Sequence, residues 1–303
     1  MRIKKGELIK KMRKDMGMSQ EELAEILHMS PRHLSRIETG EKDIDFWQIM
    51  SLLEVLGMPT EDLWLLYLDL HEYEDYRKYK DLKRLLRDKK LKEAKDALAE
   101  LEQGLLSKQP FIMQFIALAK IETDTAISNE QAVEELYQAI RKYKPNFDIN
   151  KISEYRLNYN EIYIITSIAN KLNAQGKVRE AVAITQDLMT NRQNMNASDE
   201  DIANTLPVLM FNLSTMLGRL GEYKESFKYC TRAYEISKEY NNLRIIPGIL
   251  YNMASCYRLL GEEVQIYKTH LVRAYHCANA HGDHEAAKTI KNDALIDFGI
   301  EDL

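Results

Sequence analysis

A frame of two helices joined by a glycine turn recurs along the second half of the sequence, and this recurrence limits the possible folds more than any other feature. The frame fits IANKLNAQGKVREAVAITQDLM (168–189), NLSTMLGRLGEYKESFKYCTRAYEI (212–236) and NMASCYRLLGEEVQIY (252–267). The turn glycines Gly176, Gly221 and Gly261 lie 45 and 40 residues apart. Such a unit cannot bury its apolar face alone, so neighbouring units must stack. The pattern therefore predicts an array of helix pairs.

The spacing of small and apolar positions in these segments resembles that of tetratricopeptide repeats. In the copy around Gly221, Leu213 and Leu217 precede the turn, and Cys230 and Ala233 follow it. Two weaker copies, at 82–103 and 111–140, come before the three clear ones. The resemblance implies about five helix pairs and a terminal capping segment over residues 81–303, stacked as a superhelix.

Residues that break helices are scarce, since only 12 Gly and 6 Pro occur among 303 residues. This composition predicts an all-α chain. The three cysteines are far apart and form no CxxC motif, which fits a reducing cytoplasm. No segment has the apolar length of a signal peptide or a membrane span, so we expect a cytoplasmic protein without membrane contact.

The charge is distributed unevenly along the chain. Residues 1–42 carry ten Lys or Arg against seven Asp or Glu, a balance of +3. Because the whole chain has a formal charge of -5, the remainder carries -8. A basic end on an acidic protein is expected if only that end meets a polyanion.

The first seventy residues carry the start and stop signals of five short helices. Ser19 and Glu22 have the spacing of a capping box before the second helix, and Ser30 with Pro31 begins the third. Gly40 ends the third helix, the segment 43–57 supplies the fourth, and a fifth starts at Thr60. A short helix, a tight turn and a second helix that can enter the major groove form the helix-turn-helix geometry.

The stretch MSQEELAEILHMSPRHLSRIETGEKDIDFWQIMSLLEVLGM (18–58) resembles the DNA-binding domain of the lambda-repressor/Cro (XRE) family. The resemblance implies a five-helix domain over residues 1–65. By position, Gln20 would contact a phosphate, and Arg32, His33 and Arg36 would project toward base edges; with the capping Ser30 they form the predicted DNA-binding set. Arginine suits this role because its two donors match guanine O6 and N7.

The same resemblance makes two structural predictions. It pairs Arg13 with Glu38 in a salt bridge, which leaves Arg13 out of the DNA-reading set. It also puts His28 at a turn position where the family commonly has glycine. Histidine tolerates a positive φ better than most side chains, so we expect the turn to form.

Residues 64–80, WLLYLDLHEYEDYRKYK, have a helical period and contain no flexible Gly/Ser run. We predict a helical linker at 66–80 between the two domains. A helical connection would transmit movement from one domain to the other.

The first helices of the repeats would line a concave face suited to an extended peptide. Asn212 and Asn252 occupy the same repeat position, and an asparagine can both donate to and accept from a peptide backbone. Phe211 and Tyr251 stand beside them as possible pocket walls. The predicted peptide-binding set adds one asparagine and two arginines that could receive a carboxylate: Asn170, Arg219 and Arg258.

The combination of this helix-turn-helix with tetratricopeptide-like repeats resembles the peptide-pheromone-responsive regulators of Gram-positive bacteria, typified by Rgg, PlcR and PrgX. The resemblance implies a cytoplasmic homodimer that binds a short signalling peptide and operator DNA, as in quorum sensing. A regulator or adaptor controlled by a protein partner is the alternative. An enzyme built on similar repeats, such as a response-regulator phosphatase, is disfavoured because a DNA-binding domain occupies the N-terminus of this chain.

Motifs for catalysis or cofactor binding are lacking in the sequence. It contains no GxxxxGK[ST], GxGxxG, HExxH or GxSxG, so we expect no enzyme activity and no cofactor. One cluster has metal-ligating residue types: His276, Cys277, His281, Asp283 and His284. Its spacing matches no standard zinc site, and Gly282 indicates a turn within it, so we predict no metal.

Overall fold

The computed structural model describes residues 2–55, 70–194 and 199–301. That part of the chain is helical and contains no strand, which confirms the all-α prediction. None of its helices is long and apolar enough to cross a membrane. The α-helices are, in chain order, α1 (Arg2–Asp15), α2 (Gln20–Ile26), α3 (Pro31–Glu38), α4 (Phe46–Val55), α5 (Leu70–Arg87), α6 (Leu91–Glu102), α7 (Pro110–Thr123), α8 (Asn129–Arg141), α9 (Tyr159–Ala174), α10 (Val178–Asn194), α11 (Asp199–Arg219), α12 (Tyr223–Glu239), α13 (Ile246–Leu259), α14 (Val264–Ala280) and α15 (His284–Ile296).

Backbone contacts divide the chain into two compact units, Met1–Thr125 and Ala126–Leu303. The first unit holds α1–α7 and the second holds α8–α15. Four helices of the predicted five-helix domain are described. The fifth, expected from Thr60, lies outside the described residues.

Apolar side chains from α1 to α4 form the core of the helix-turn-helix. Leu8 of α1, Leu23 of α2, Leu34 of α3 and Leu52 of α4 are all fully buried in this core. Burying one leucine contributes about 1.5–3 kcal/mol. Since helices as short as α2 and α3 are marginal alone, this shared core holds them in place.

Local signals at the ends of α2 and α3 form as predicted. The Ser19 side chain accepts from the Glu22 backbone N–H at 3.1 Å, and the Glu22 carboxylate accepts from the Ser19 N–H at 2.6 Å. Ser30 Oγ accepts from the His33 N–H at 3.2 Å, with Pro31 in the first turn. His28 adopts a φ of +52°, which confirms the positive φ expected in the turn.

Gly6 permits the close crossing of α1 and α3. A Cβ built on Gly6 would lie 2.3 Å from the Ile37 carbonyl oxygen and 2.6 Å from that of Glu38. Any side chain at this position would therefore push the end of α3 away from α1.

Helix α5 runs without interruption across position 80, where we predict the linker to end. No glycine or proline lies between residues 70 and 87 to break it. Its first turns contact the helix-turn-helix: Tyr73 packs against that core, and Lys11 Nζ lies 2.5 Å from Glu74 Oε1. The predicted linker residues 70–80 thus belong to a helix that packs against α6.

Helices α5 and α6 pack together in the first unit, and three further pairs and the final helix α15 follow in the second. The remaining two helices of the five predicted pairs, α7 and α8, lie in different units. In the second unit α9 packs on α10, α11 on α12 and α13 on α14, while α11 also contacts both α9 and α13. The turn glycines Gly176, Gly221 and Gly261 have φ values of +82°, +80° and +82°. These left-handed turns confirm the repeat frame, because glycine adopts such a φ without strain.

Candidate functional site

The exposed side of α3 carries two arginines. Arg32 is exposed and forms no ion pair or hydrogen bond with any described residue. Arg36 has a side chain 53% exposed, and its Nε lies 3.4 Å from Glu41 Oε2. An exposed pair of this kind contributes about 0–1 kcal/mol, so a stronger anion can displace Glu41.

His33 differs from the two arginines in its exposure. Its ring is half-buried, and Nε2 is sealed from solvent with no hydrogen-bond partner among the described residues. Position 33 precedes Ile37 by one helical turn, which puts its side chain at the edge of the inward face. In this conformation His33 is not presented beside Arg32 and Arg36, and a role at base edges remains a prediction.

A buried ion pair joins α1 to α3. Arg13 Nε donates to Glu38 Oε1 at 2.7 Å and Nη2 donates to Glu38 Oε2 at 3.1 Å, which confirms the predicted pairing. The hydrogen bond with Glu38 raises the pKa of the Arg13 guanidinium. Arg13 Nη1 also donates to the Met18 carbonyl at 2.7 Å.

Gln20, which we expect to meet a phosphate, takes part in the same network. Its Nε2 donates to Glu38 Oε2 at 2.6 Å. A carboxylate can only accept, so the Gln20 amide must turn its nitrogen toward Glu38. One Nε2 hydrogen remains for a phosphate oxygen. Sequence reasoning missed this bond because Gln20 and Glu38 are 18 positions apart.

The three predicted asparagines of the repeats have different surroundings. Asn170 is exposed and Asn212 is half-buried, and neither makes a side-chain hydrogen bond with a described residue. Asn252 is half-buried, and its Nδ2 donates to Ser214 Oγ at 2.8 Å and to Cys230 Sγ at 3.3 Å. The common repeat position of Asn212 and Asn252 thus gives two unlike sites.

The predicted aromatic residues pack against neighbouring helices. The ring of Phe211 lies against α13, where a Cβ on Gly248 would come within 2.9 Å of it. The Tyr251 hydroxyl donates to Asp293 Oδ2 of α15 at 2.9 Å. Burial, and then this bond to a carboxylate, raise the pKa of Tyr251. Both residues are half-buried, so each keeps some surface for a ligand.

The predicted arginines also have intramolecular contacts. Arg219 Nη1 donates to the backbone carbonyl of Asn173 at 3.3 Å and to its Oδ1 at 3.1 Å. The Arg258 guanidinium lies 5.3 Å from the centroid of the Phe298 ring. Both arginines are exposed, and neither forms an ion pair with a described residue. Each therefore has donors left for a carboxylate.

The residues of the candidate metal cluster serve local roles. Asp283 caps α15 by accepting from the Ala286 N–H at 3.0 Å, and Gly282 forms the expected turn with φ +72°. Cys277 Sγ lies 3.8 Å from His281 Nδ1, and His284 Nδ1 lies 3.4 Å from Asn279 Oδ1. Across the described residues, no group of three or more His, Cys, Asp or Glu is placed to hold a metal ion.

A depression of about 460 Å³ is lined by residues of α10, α11 and α12. Met189 and Met210 are its buried apolar members. Glu225, Lys228 and Arg232 are charged residues of its lining. None of the predicted peptide-binding residues lines it.

The fold and the exposed recognition helix define a helix-turn-helix protein that carries a C-terminal domain of stacked helix pairs. Residues 9–63 match the helix-turn-helix family, and residues 69–279 match the RNPP family C-terminal domain. The second match covers more than half of the sequence, so the chain belongs to the RNPP family. No curated protein matches it.

Solved structures of three proteins share the fold. PlcR of Bacillus thuringiensis, in complex with the peptide PapR7 and DNA, is 20% identical with a TM-score of 0.70, over 96% of this chain and 99% of that one. ComR of S. thermophilus, in complex with DNA and its signalling peptide ComS, is 16% identical with a TM-score of 0.52, over 97% and 99%. The SHP pheromone receptor Rgg2 of Streptococcus dysgalactiae is 16% identical with a TM-score of 0.52, over 95% and 97%.

Proposed function

We propose that this chain is a cytoplasmic transcription regulator of the quorum-sensing type. It binds operator DNA through α3, and a short signalling peptide bound along α9, α11 and α13 controls that binding. The observation that carries the proposal is the presence of a helix-turn-helix and an RNPP family C-terminal domain in one chain. The solved PlcR and ComR complexes, which contain DNA and a signalling peptide, support it.

The proposed DNA-binding residues are Gln20, Ser30, Arg32, His33 and Arg36. Arg32 and Arg36 have the strongest support because their side chains are exposed on one side of α3. The proposed peptide-binding residues are Asn170, Phe211, Asn212, Arg219, Tyr251, Asn252 and Arg258. We retain 1–65, 66–80 and 81–303 as the limits of the DNA-binding domain, linker and peptide-binding domain.

The regulator acts as a homodimer without catalysis. One chain offers one recognition helix, whereas operators of this kind are read by two helices about 34 Å apart. A peptide can change DNA binding only if it binds one arrangement of the dimer more tightly than another.

Selection from a randomised duplex library tests the proposal. The full chain is expected to enrich one pseudo-palindromic sequence and to bind it as a dimer in sedimentation experiments. A randomised peptide library then supplies a peptide that shifts the affinity for the enriched duplex. Failure to enrich any duplex would refute the DNA-binding function. If a duplex is enriched, but its affinity responds to a bound protein and to none of the peptides, the alternative of a regulator controlled by a protein partner is favoured.

A further inference from the structure

A closed network of hydrogen bonds joins α11, α12 and α13 beneath the predicted peptide face. Its members are two serines, two thiols and one amide: Ser214, Ser226, Cys230, Cys256 and Asn252. The serines and thiols are buried, and only the amide is half-exposed. The amide is therefore the one member of the network that a ligand can reach.

The direction of each bond follows from counting protons. Ser214 Oγ lies 2.7 Å from the Phe211 carbonyl oxygen, which can only accept, so the single hydroxyl proton of Ser214 points there. Ser214 Oγ is then an acceptor for its other neighbours. One of these is the Cys230 thiol, whose Sγ lies 3.2 Å away.

The second serine and thiol repeat this pattern. Ser226 Oγ donates to the Ser214 carbonyl at 2.7 Å, so the Cys256 thiol at 3.2 Å is the donor to Ser226. Burial raises the pKa of Cys230 to about 12 and also raises that of Cys256. Both thiols therefore keep their protons at neutral pH and can donate.

The network determines which end of the Asn252 amide faces inward. Ser214 Oγ and Cys230 Sγ both lie within hydrogen-bond distance of Nδ2, and Ser214 Oγ has no proton left to give to an oxygen. A flipped amide would set its Oδ1 against an acceptor and lose this bond. The Oδ1 atom of Asn252 accepts no hydrogen bond from a described residue, and it is not sealed from solvent.

We propose that Ser214 and Cys230 are positioning residues that hold the Asn252 amide with Oδ1 outward, so that this position accepts a backbone N–H of an extended peptide. The peptide part of this inference rests on the proposed function. Asn212, at the same repeat position, makes no side-chain hydrogen bond with a described residue, so no such bond fixes the orientation of its amide. Asn252 therefore supplies a fixed acceptor, which selects the register of the peptide backbone.

Side-chain amide NMR of the full chain, labelled with ¹⁵N at asparagine, tests the orientation. Asn252→Ala and Asn212→Ala identify the two signals. We expect the Nδ2 protons of Asn252 to exchange about ten-fold more slowly than those of Asn212, the ratio that one hydrogen bond of ordinary strength produces. Equal exchange at the two asparagines would overturn the inference.

Two serine variants separate positioning from general packing. Ser214→Ala removes the acceptor and is expected to bring exchange at Asn252 to the Asn212 rate. Ser255→Ala is the matched control, because the Ser255 hydroxyl donates to the Tyr251 carbonyl outside the network. This variant should leave the exchange at Asn252 slow. The same response to both variants would contradict a specific role for Ser214. Because the unmodified chain already reports the orientation, a misfolded variant does not remove the test.

The ligand part is tested with a peptide selected from a randomised ten-residue library. Each backbone amide of that peptide is replaced in turn by an ester, which removes one N–H. At one position, we expect the ester to weaken peptide binding to the unmodified chain about ten-fold. The same ester should leave peptide binding to the Asn252→Ala chain unchanged. Equal losses on both proteins at every position would overturn the ligand part. A library without any binder would refute the peptide-binding function, while the NMR result decides the amide orientation separately.

Discussion

Arg13 and Glu38 form a two-bond ion pair inside the helix-turn-helix, with side chains only 7% and 1% exposed. The pair links the first helix of the domain to the end of the recognition helix. Removing one member leaves the other charge buried without its partner, and this loss leads to the first prediction.

Glu38→Gln should lower the free energy of unfolding of the helix-turn-helix by about 3–5 kcal/mol. Urea unfolding together with hydrogen exchange over residues 2–42 measures the change. Glu41→Gln is the matched control because it removes the same charge from an exposed pair, and we expect less than about 1 kcal/mol from it. Equal effects of the two variants would contradict the structural role of the buried pair.

Arg32→Ala and Arg36→Ala should each weaken binding to the selected duplex by about 1–3 kcal/mol and relax base preference at one position. Fluorescence anisotropy at a fixed salt concentration measures this. The double variant Arg84→Ala/Arg87→Ala removes the same charge from exposed positions of α5 and is the control for Arg32→Ala/Arg36→Ala. If the two doubly substituted chains lose affinity equally, α3 does not read the bases.

Gly6→Ala should destabilise the helix-turn-helix by about 1–3 kcal/mol, because the new Cβ would overlap the Ile37 and Glu38 carbonyls. Gly218→Ala in α11 is the control. There the Cβ would lie 3.7 Å from Ser226 Oγ, an ordinary contact, and helix propensity should stabilise the chain by up to about 1 kcal/mol. Opposite signs in thermal unfolding are the expected outcome, and a loss at both positions would count against the close crossing at Gly6.

Stability should fall at high pH in a manner that depends on Cys230. Burial raises the pKa of this thiol to about 12 in the folded chain, against an ordinary value of 9.0. Between those values the unfolded chain releases the proton and the folded chain keeps it. The contribution of the protonated Cys230 thiol to the free energy of unfolding is therefore complete below pH 9. Above pH 9 it falls by up to about 1.4 kcal/mol per pH unit.

Urea unfolding at pH 7.5, 9.5 and 10.5 checks this prediction. Cys230→Ala should show a shallower fall with pH than the parent chain. Cys277→Ala, which changes a more exposed thiol, should keep nearly the parent slope. The quantity compared is the slope of the free energy of unfolding against pH. Tyrosines such as Tyr251 titrate in all three proteins, so their contribution cancels when two slopes are compared. If the free energy of unfolding falls equally with pH in the parent and in Cys230→Ala, the raised pKa of Cys230 is not the cause of the fall.

Features set by neighbouring residues could be predicted from the sequence. The capping box of Ser19 with Glu22, the start of α3 at Ser30 and the turn at Gly221 each depend on a few adjacent positions. The half-buried state of His33 was not predicted, although this residue stands one turn before the inward Ile37.

Contacts between distant segments were beyond sequence reasoning unless a family resemblance supplied them, as it did for Arg13 and Glu38. The bonds from Tyr251 to Asp293 and from Asn252 to Ser214 span 42 and 38 positions. Neither position carries a pattern that names its partner. The repeat frame predicts which helix faces are inward, but the choice of partner depends on how the helices pack.

The crossing at Gly6 has a consequence for how such a domain can be regulated. The backbone of α1 lies against the carbonyls of Ile37 and Glu38, and the ion pair of Arg13 with Glu38 joins the same two helices. We therefore expect α1 and the proposed reading helix α3 to move together as one block. In the proposed dimer, we therefore expect a signal from elsewhere in the protein to leave the base preference of each copy unchanged. We expect it to act on the distance and angle between the two copies of this block on DNA.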